Sequence, residues 1–425
     1  MLMKQPRSVL DDASPEGARI APRKGILGKP RVRRIMPFML GLIWGTLTSF
    51  AFLVSGSGII VQTGALGLVS VLALNCWPSS FTRSLNQPIV FAVALYATIA
   101  SLSGILYDSS PSSIMRSIML LPATLALTTG AYSGPAAMRG LARGFASAGL
   151  IFVAVHLAYI DPSKLLDPTY RIYVFLNPNG VAFISGATAI VMLDWTLSSK
   201  GIRAKAICLI GMAAALLVLF ATKSRTAAAS TLIGIMALLF FAAGRGRLHG
   251  ILILICAILL GLSASGRFDI ETVGQKLSSM YSFDSNGRSI LTGTGRLRVW
   301  QFAATDILGR HTLLGIGPDN YRPILKRKFP HSSGSVHNGL LRTLLDSGIL
   351  GTFPLLLIIL ASAKTLAFRR VRRDVSLEAG LFCIGIVESL AEEFFFSFGN
   401  PASLLFLLAM ISLSLKTTQQ RNVRG

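Results

Sequence analysis

The sequence predicts an all-α fold, a polytopic integral membrane bundle of about twelve transmembrane helices with one large extramembrane loop domain. The 425-residue chain is 52% hydrophobic, only 14% of its residues are charged, and its mean hydropathy is +0.62. Soluble proteins carry about 25% charged residues, so most of this chain cannot face water. Its Leu- and Ala-rich runs lack the alternating polarity of barrel strands, which favours helices as the membrane-spanning elements.

An apolar run of roughly 17 to 25 residues can cross the hydrocarbon core as a helix. Such runs are expected near residues 36–54, 58–76, 88–106, 113–131, 144–160, 174–193, 204–221, 226–243, 248–265, 345–363, 377–398 and 401–415. They divide the chain into a disordered basic tail, a first group of spans, a loop domain, a second group of spans and a C-terminal tail, over residues 1–35, 36–265, 266–338, 339–415 and 416–425. No cleavable signal peptide is expected, because the first apolar run follows a polar, basic tail.

The net charge of +23 is distributed unevenly along the chain. If the N-terminal tail is cytoplasmic, more than half of the 41 Lys and Arg residues lie in the two tails and in the loops on the same side. The short loops on the opposite side hold few basic residues. This asymmetry follows the positive-inside rule and predicts that both termini are cytoplasmic. The charge therefore requires no nucleic acid, and membrane lipid is the expected partner of the basic loops.

The loop domain over residues 266–338 is predicted to be periplasmic. It contains ten Lys and Arg against five Asp and Glu, and it is long enough to escape the positive-inside constraint. An amphipathic helix lying on the bundle is predicted from apolar residues at near-helical spacing, namely Leu297, Trp300, Ala304, Ile307 and Leu308. The glycines and proline of residues 314–321 predict a turn-rich connector that follows a tight path near a ligand or another helix.

His337 and Asn338 lie where the loop domain meets the tenth apolar run, at the outer rim of the membrane. A neutral imidazole there can accept a proton from a hydroxyl, because imidazole titrates near physiological pH. A helix-capping or interfacial role is the alternative, and the residues alone do not decide between the two. On a helix, His337 shares a face with Leu341 and Gly348. Gly348 and Gly351 are interpreted as packing positions that let two helices approach closely.

Three arginines in the outer loops are candidates for anion binding. Arg225 lies at a helix start in a short outer loop, where basic residues are normally avoided, and it is expected to bind phosphate. Snorkelling to lipid phosphates is the alternative. Arg296 and Arg298 follow a Gly-Thr-Gly sequence that lacks the Lys-Ser/Thr of a phosphate-binding loop, so nucleotide binding is excluded. Being two residues apart, they point in different directions; Arg296 is preferred, and Arg298 is expected to be solvated or to contact lipid.

Glu388, Glu392 and Glu393 lie in the eleventh run, where carboxylates are costly and are therefore functional or paired. Glu388 and Glu392 share a helix face, while Glu393 points away. An ion pair with arginine and acid–base catalysis both remain open, and Arg116, near the outer end of the fourth run, raises the same question of pairing. Asn179, in an Asn-Pro-Asn-Gly helix entry, is either structural or a hydrogen-bond donor to a sugar.

The four cysteines are widely spaced and lie in or beside apolar runs. They are interpreted as core residues, so neither a metal site nor a disulfide framework is expected. No cofactor is expected.

Taken in order, these motifs resemble the O-antigen ligase and Wzy polymerase superfamily of bacterial polysaccharide assembly. The resemblance is carried by Asn177-Pro-Asn179, Ser224-Arg225-Thr226, Gly295-Arg296 with Trp300, Gly315-Ile-Gly317, and His337-Asn338 through Gly348 and Gly351. Each motif alone is weak, but their order around one outer loop is fairly specific. The motifs cover residues 170–400.

The resemblance implies a metal-independent glycosyltransferase of the bacterial inner membrane whose active site faces the periplasm. Its donor would be a polyprenyl-diphosphate-linked glycan, its acceptor a glycan or the lipid A core, and its partners other proteins of polysaccharide assembly. Arg225 and Arg296 would bind the diphosphate, and His337 would orient or deprotonate the acceptor. Residues expected to bind substrate around them are Asn338, Arg116, Asn179 and Glu392.

The leading hypothesis is a polymerase that extends exopolysaccharide or O-antigen, and the alternative within the family is a ligase that transfers finished glycan to the lipid A core. A transporter or flippase is the alternative of another class. Such proteins show paired broken helices or inverted repeats with functional groups at mid-membrane, whereas the basic groups here cluster at one rim. A scaffold component of an assembly complex is a third possibility. The sequence identifies neither the sugar and its linkage nor the oligomeric state.

Overall fold

The computed structural model describes residues 30–50, 64, 66–73, 77–165, 172, 177–242, 296–330, 334–368, 373–394 and 400–424. Within these residues 84% are helical and no strand occurs, which is the predicted fold class. The first eight helices are α1 Pro30–Phe50, α2 Pro78–Leu85, α3 Pro88–Leu106, α4 Pro111–Tyr132, α5 Pro135–Leu157, α6 Pro178–Ser198, α7 Ile202–Ala221 and α8 Arg225–Ala242. The remaining five are α9 Arg296–Phe302, α10 Tyr321–Lys328, α11 Gly339–Phe368, α12 Ser376–Ser389 and α13 Pro401–Arg424.

Seven of the helices in the described part of the chain are long and apolar enough to cross a membrane. They are α3 to α8 and α11, and each overlaps a predicted apolar run, although α5 begins well before its predicted run and α11 extends beyond its predicted run at both ends. Shorter apolar helices cover Ile35–Phe50 and Pro401–Lys416. The predicted run at 248–265 and most of the run at 58–76 lie outside the described residues. The protein is therefore a multi-pass membrane protein, and the total of about twelve spans remains a prediction.

Proline sets the start of most of these helices. It occupies the first position of α3, α4, α5 and α6, where its missing N–H is not needed by the helix and its fixed φ already suits one. Ser110 and Asn177 add side-chain caps at the starts of α4 and α6. The sequence motifs at the loop–helix junctions therefore have a structural role whatever else they do.

The helices run alternately between two ends of the bundle. At the first end α6 and α8 begin and α12 ends, and we call it the Glu392 end. At the other, the Arg139 end, α5 begins close to the last residues of α6, where Arg143 donates a hydrogen bond to Ser198. This alternation agrees with the loop assignment made from charge, although the side of the membrane on which each end lies remains a prediction.

In the structure the connector covers residues 311–320, ahead of α10, and it packs against a break in α11. At Gly348 the helix has φ +61° and ψ −164°, a conformation essentially restricted to glycine. The N–H groups of Ile349 and Leu350 donate to the carbonyls of Thr312 and Leu313 in the connector, at 2.9 and 3.2 Å. The backbone groups that the break releases are therefore bonded by another segment, as a membrane protein requires. The predicted tight path near another helix is confirmed.

The segment from α9 to α10 forms a small apolar core of its own against α11. α9 continues as a π-helical turn over Ala303–Ile307 and a 3-10 turn over Leu308–Arg310. The π-turn shifts the helical phase, so the buried face differs from the predicted one: Ala303 and Ile307 are buried, whereas Leu297 and Ala304 are exposed. Residues packed in this core also include Tyr321, Leu325, Val336 and Leu345.

We expect Gly348→Ala to destabilise the protein strongly. A side chain at this φ and ψ costs about 1 to 3 kcal/mol in backbone strain. A Cβ atom there would in addition overlap the backbone of Leu313 and Leu314. The measurement is thermal unfolding in detergent. Gly201→Ala is the control, because Gly201 has an ordinary φ of −86° and open space around its Cβ position. An unfolding temperature that neither substitution changes would contradict the close packing of the connector against Gly348.

Candidate functional site

The turn that follows α12 brings together three of the residues predicted from sequence. Its Glu392 carboxylate accepts a hydrogen bond from Asn179 Nδ2 at 2.6 Å and contacts Arg296 Nη2 at 3.2 Å and His337 Nδ1 at 3.1 Å. The carboxylate side chain is only 4% exposed, so it is shielded from water. We call these four residues the Glu392 cluster.

Arg296 is fixed by two groups of the same turn. Besides contacting Glu392, its Nη1 donates to the carbonyl of Ala391 at 2.6 Å. The side chain remains 26% exposed, and a guanidinium has five N–H donors, so donors remain for a ligand. Arg298 is exposed, as predicted. Trp300 also has a structural contact, since its indole N–H donates to the carbonyl of Val336 at 2.6 Å, one residue before His337.

His337 does not lie on a helix, contrary to the prediction. Its φ is +45°, and α11 begins only at Gly339. Asn338 caps that helix, since its Oδ1 accepts from the N–H of Leu341 at 2.9 Å and its Nδ2 contacts the carbonyl of Leu390 at 3.4 Å. The helical face proposed for His337 with Leu341 is therefore wrong. The reason is that Asn338 caps the helix, so His337 stands before its first turn in a left-handed backbone conformation and contacts Glu392.

Glu393 holds a second group of charges beside the first. Its carboxylate accepts from Arg322 Nη2 at 2.7 Å and from the N–H of Val336 at 2.6 Å. Its backbone carbonyl accepts from Arg342 Nη1 at 3.0 Å. Glu392 and Glu393 are adjacent yet bind different arginines, in agreement with the prediction that Glu393 points away from its neighbours. Arg322 is a residue that the sequence argument missed.

Asp319 joins this second group to α4, and it also explains Arg116. Its carboxylate binds Arg322 Nε at 2.7 Å and Ser113 Oγ at 2.9 Å, and lies 3.5 Å from Arg116 Nη1. Burial alone would raise the pKa of Asp319, but the guanidinium groups of Arg342 and Arg322 outweigh it and lower that pKa to about 2. Arg116, half exposed, therefore pairs with Asp319 and with none of the three glutamates. The pair of Asp319 and Arg322 could have been predicted from the sequence, because Asp319 ends a Gly-Pro-Asp turn and Arg322 follows it by three residues.

Arg225 is placed differently from the other candidates. It is the first residue of α8, it is exposed, and it makes no hydrogen bond or ion pair with a residue in the described ranges. One turn further along α8, Ser230 donates to the Glu388 carboxylate at 3.0 Å. Arg225 therefore lies at the Glu392 end of the bundle but outside the Glu392 cluster. Its neighbour Lys223 is engaged with the carbonyl of Leu165 at 2.7 Å.

The described residues contain no group of His, Cys, Asp and Glu arranged to hold a metal ion. Cys208 and Cys383 are free thiols, and the other two cysteines lie outside the described ranges.

A comparison with protein families supplies the functional context for this geometry. Residues 210–356 match the family model Wzy_C, described as O-Antigen ligase, and the matched segment contains Arg225, Arg296 and His337. A search of curated proteins found no match. The family match confirms the resemblance to the O-antigen ligase and Wzy superfamily and supports a membrane glycan ligase or polymerase function.

We expect Asp319→Asn to destabilise the protein at neutral pH by about 2 kcal/mol, the free-energy equivalent of the pKa difference between 3.8 in the unfolded chain and about 2 in the fold. Because the folded pKa is the lower one, this stabilisation is complete above the unfolded pKa. It is lost as the pH falls through the folded value. The stability gap between wild type and variant should therefore close between about pH 4 and pH 2.

Thermal unfolding in detergent across this pH range measures the gap. Asp306→Asn is the control, since Asp306 is exposed and its carboxylate accepts a hydrogen bond from the adjacent Thr305 hydroxyl. A gap for Asp319→Asn that is independent of pH would contradict the assignment of this carboxylate to the arginines.

Proposed function

We propose that this protein is a membrane glycosyltransferase that transfers or polymerises polyprenyl-diphosphate-linked oligosaccharide units at the periplasmic face, because its residues 210–356 match the O-antigen ligase family model. The observation that carries the proposal is the Glu392 cluster, in which an arginine and a histidine contact opposite oxygens of one buried carboxylate. The leading candidate is an exopolysaccharide or O-antigen polymerase. The second candidate is a ligase that transfers finished glycan to the lipid A core, and the family description, O-Antigen ligase, is compatible with both candidates.

In the proposed reaction an acceptor hydroxyl oxygen attacks the anomeric carbon of the donor sugar. The bond between that carbon and the diphosphate oxygen breaks, and the diphosphate leaves with the electron pair. Arg296 is assigned to the diphosphate, because a fixed guanidinium stabilises the charge that accumulates there. Arg296 suits this role because its guanidinium keeps N–H donors that are not bonded to Glu392 or Ala391. Arg225 is assigned to the same group as an exposed cation at the same end of the bundle.

His337 is assigned to the acceptor hydroxyl, whose proton it takes. Its Nδ1 contacts Glu392, so proton exchange with the acceptor is assigned to Nε2. A carboxylate in this position orients the imidazole and stabilises the imidazolium that forms, as the third member of a catalytic triad does. Glu392 and Asn179 then serve mainly to position His337 and Arg296, and Asn338 to hold the helix start.

The broken helix α11 is a feature that transporters also show, but its environment differs. Broken transporter helices leave backbone groups free to bind a substrate near the membrane centre. In this protein the released N–H groups are bonded to the connector, and the charged cluster lies at one end of the bundle. The geometry therefore favours group transfer at the rim over passage through the membrane.

Reconstitution of the purified protein in vesicles with a radiolabelled lipid-diphosphate oligosaccharide tests the proposal. A ladder of longer glycans indicates a polymerase, and label on an added lipid A core acceptor indicates a ligase. Movement of the substrate across the vesicle membrane without new bonds would replace the proposal with transport.

In this assay we expect Arg296→Ala and Arg225→Ala each to lower turnover roughly 10²- to 10³-fold, the usual effect of removing a group that stabilises transition-state charge. Arg225→Lys should recover little, because lysine lacks the planar fork. Arg298→Ala is the matched control for Arg296, two residues away and exposed, and should be mild. Near wild-type turnover in either alanine variant would contradict the assignment of that arginine to the diphosphate.

We expect His337→Ala to lower turnover by roughly 10² to 10⁴ while donor binding is retained, because general-base assistance contributes that range. His337→Gln separates two roles, since glutamine can hydrogen-bond to Glu392 but cannot carry the proton. Nearly full activity in the glutamine variant would make His337 an orienting group. An unimpaired alanine variant would show that the histidine is structural.

A further inference from the structure

A polar cavity of about 420 Å³ lies at the Arg139 end of the bundle, away from the Glu392 cluster. Its lining includes Arg139 of α5, Asp194 and Ser198 of α6, Lys200 of the following loop and Ser376, the first residue of α12. α12 has 14 residues and separates Ser376 from the turn that carries Glu392. At 1.5 Å per residue the two sites are roughly 20 Å apart. The cavity is therefore distinct from the proposed active site.

The cavity has two cationic side chains that no other described side chain pairs with. The guanidinium of Arg139 and the ammonium group of Lys200 make no hydrogen bond or ion pair with any residue in the described ranges. The negative charge of Asp194 is opposed by Arg143, which interacts with it electrostatically and is held by Ser198 at 2.7 Å. The two uncommitted cations leave the cavity with a positive balance. Such a balance is suited to an anionic ligand.

The hydroxyl groups and the helix start in the lining favour phosphate as the anion. Ser198, Ser199 and Ser376 lie beside the two cations, and the N-terminal turn of α12 begins at the cavity wall. Hydroxyls and helix N-terminal N–H groups are frequent partners of phosphate oxygens. They supplement the charges of Arg139 and Lys200.

Exposed apolar side chains lie on α8, the helix whose last residue, Ala242, lines the cavity. Leu232, Met236 and Phe240 recur every four residues, so they form one stripe along this helix. Leu197, also exposed, lines the cavity itself. A free phosphate ion would make no use of this stripe, whereas an acyl chain would lie along it.

We propose that this cavity binds the phosphodiester headgroup of an anionic phospholipid, with its acyl chains along the exposed face of α8. Basic pockets between transmembrane helices are a recurring form of such sites. The lipid would join α5, α6, α8 and α12 at the end opposite the active site. The proposal does not depend on the transfer reaction.

The test is native mass spectrometry of the full chain in detergent, titrated with phosphatidylglycerol or with phosphatidylcholine of the same chain length. We expect phosphatidylglycerol to bind more tightly. Each basic residue near an anionic headgroup contributes about five-fold in affinity, so the double variant Arg139→Gln/Lys200→Gln should lose roughly 25-fold. The matched control Arg203→Gln/Lys205→Gln removes the same charge at the same end, outside the cavity lining, and should retain affinity.

Four outcomes would overturn the proposal. Equal losses in the two double variants would indicate attraction to general surface charge. Equal binding of the two lipids would remove the anionic requirement, and displacement of the lipid by an equal concentration of inorganic phosphate would indicate a site for a free anion. Arg139→Lys/Lys200→Arg keeps both charges and should keep the affinity, so loss of lipid from this variant would contradict a charge-based site.

Discussion

The arrangement at the Glu392 end depends on two adjacent carboxylates that are removed from water. The side chains of Glu392 and Glu393 are 4% and 9% exposed, and a buried charge is costly unless it is paired and hydrogen-bonded. Each therefore recruits cations and N–H donors from elsewhere in the chain. Arg296 and His337 turn towards the first, and Arg322 turns towards the second. The position of the active-site candidates follows from this requirement for charge balance.

The main chain supplies an independent constraint on the same segment. The connector is bonded to α11 on both sides of Gly348, and the N–H of Ile316 donates to the carbonyl of Leu345 at 2.7 Å. Because Arg322 follows this connector closely, its guanidinium reaches Glu393 from a backbone that is already fixed. Side-chain charge pairs and backbone hydrogen bonds thus hold one geometry together. Precise placement of catalytic groups needs such support from the surrounding residues.

Periodicity predicted the helices well, because bilayer thickness imposes length and polarity on every span. The span at 88–106 has the predicted boundaries. Local signals also identified Arg296, His337, Asn179 and Glu392 as candidates, since each is an unusual residue for its place. Their pairing could not be predicted: Asn179 and Glu392 are 213 positions apart, and only tertiary packing brings them together.

Two local features were also beyond the sequence argument. The π-turn after α9 changes which side chains face inward, and no residue type in the sequence predicts such a turn. The positive φ of His337 depends on where Asn338 begins α11, and helix boundaries are the least certain part of any sequence prediction. Arg116 illustrates the same limit, because its partner Asp319 lies in an irregular turn.

The two ends of the bundle use charge in opposite ways, and this difference is consistent with group transfer at one of them. At the Glu392 end the carboxylates fix arginines in place, so that a guanidinium is preorganised before a diphosphate arrives and no reorganisation is needed as charge develops. At the Arg139 end the cations of the cavity have no such fixed partners among the described residues, which is the arrangement that the proposed lipid site requires. Between the ends, α12 is largely apolar and buried as far as Glu388, since hydrocarbon penalises isolated charge. The proposed chemistry on a diphosphate is thereby confined to a rim of the bundle, where a lipid-linked donor would present its headgroup.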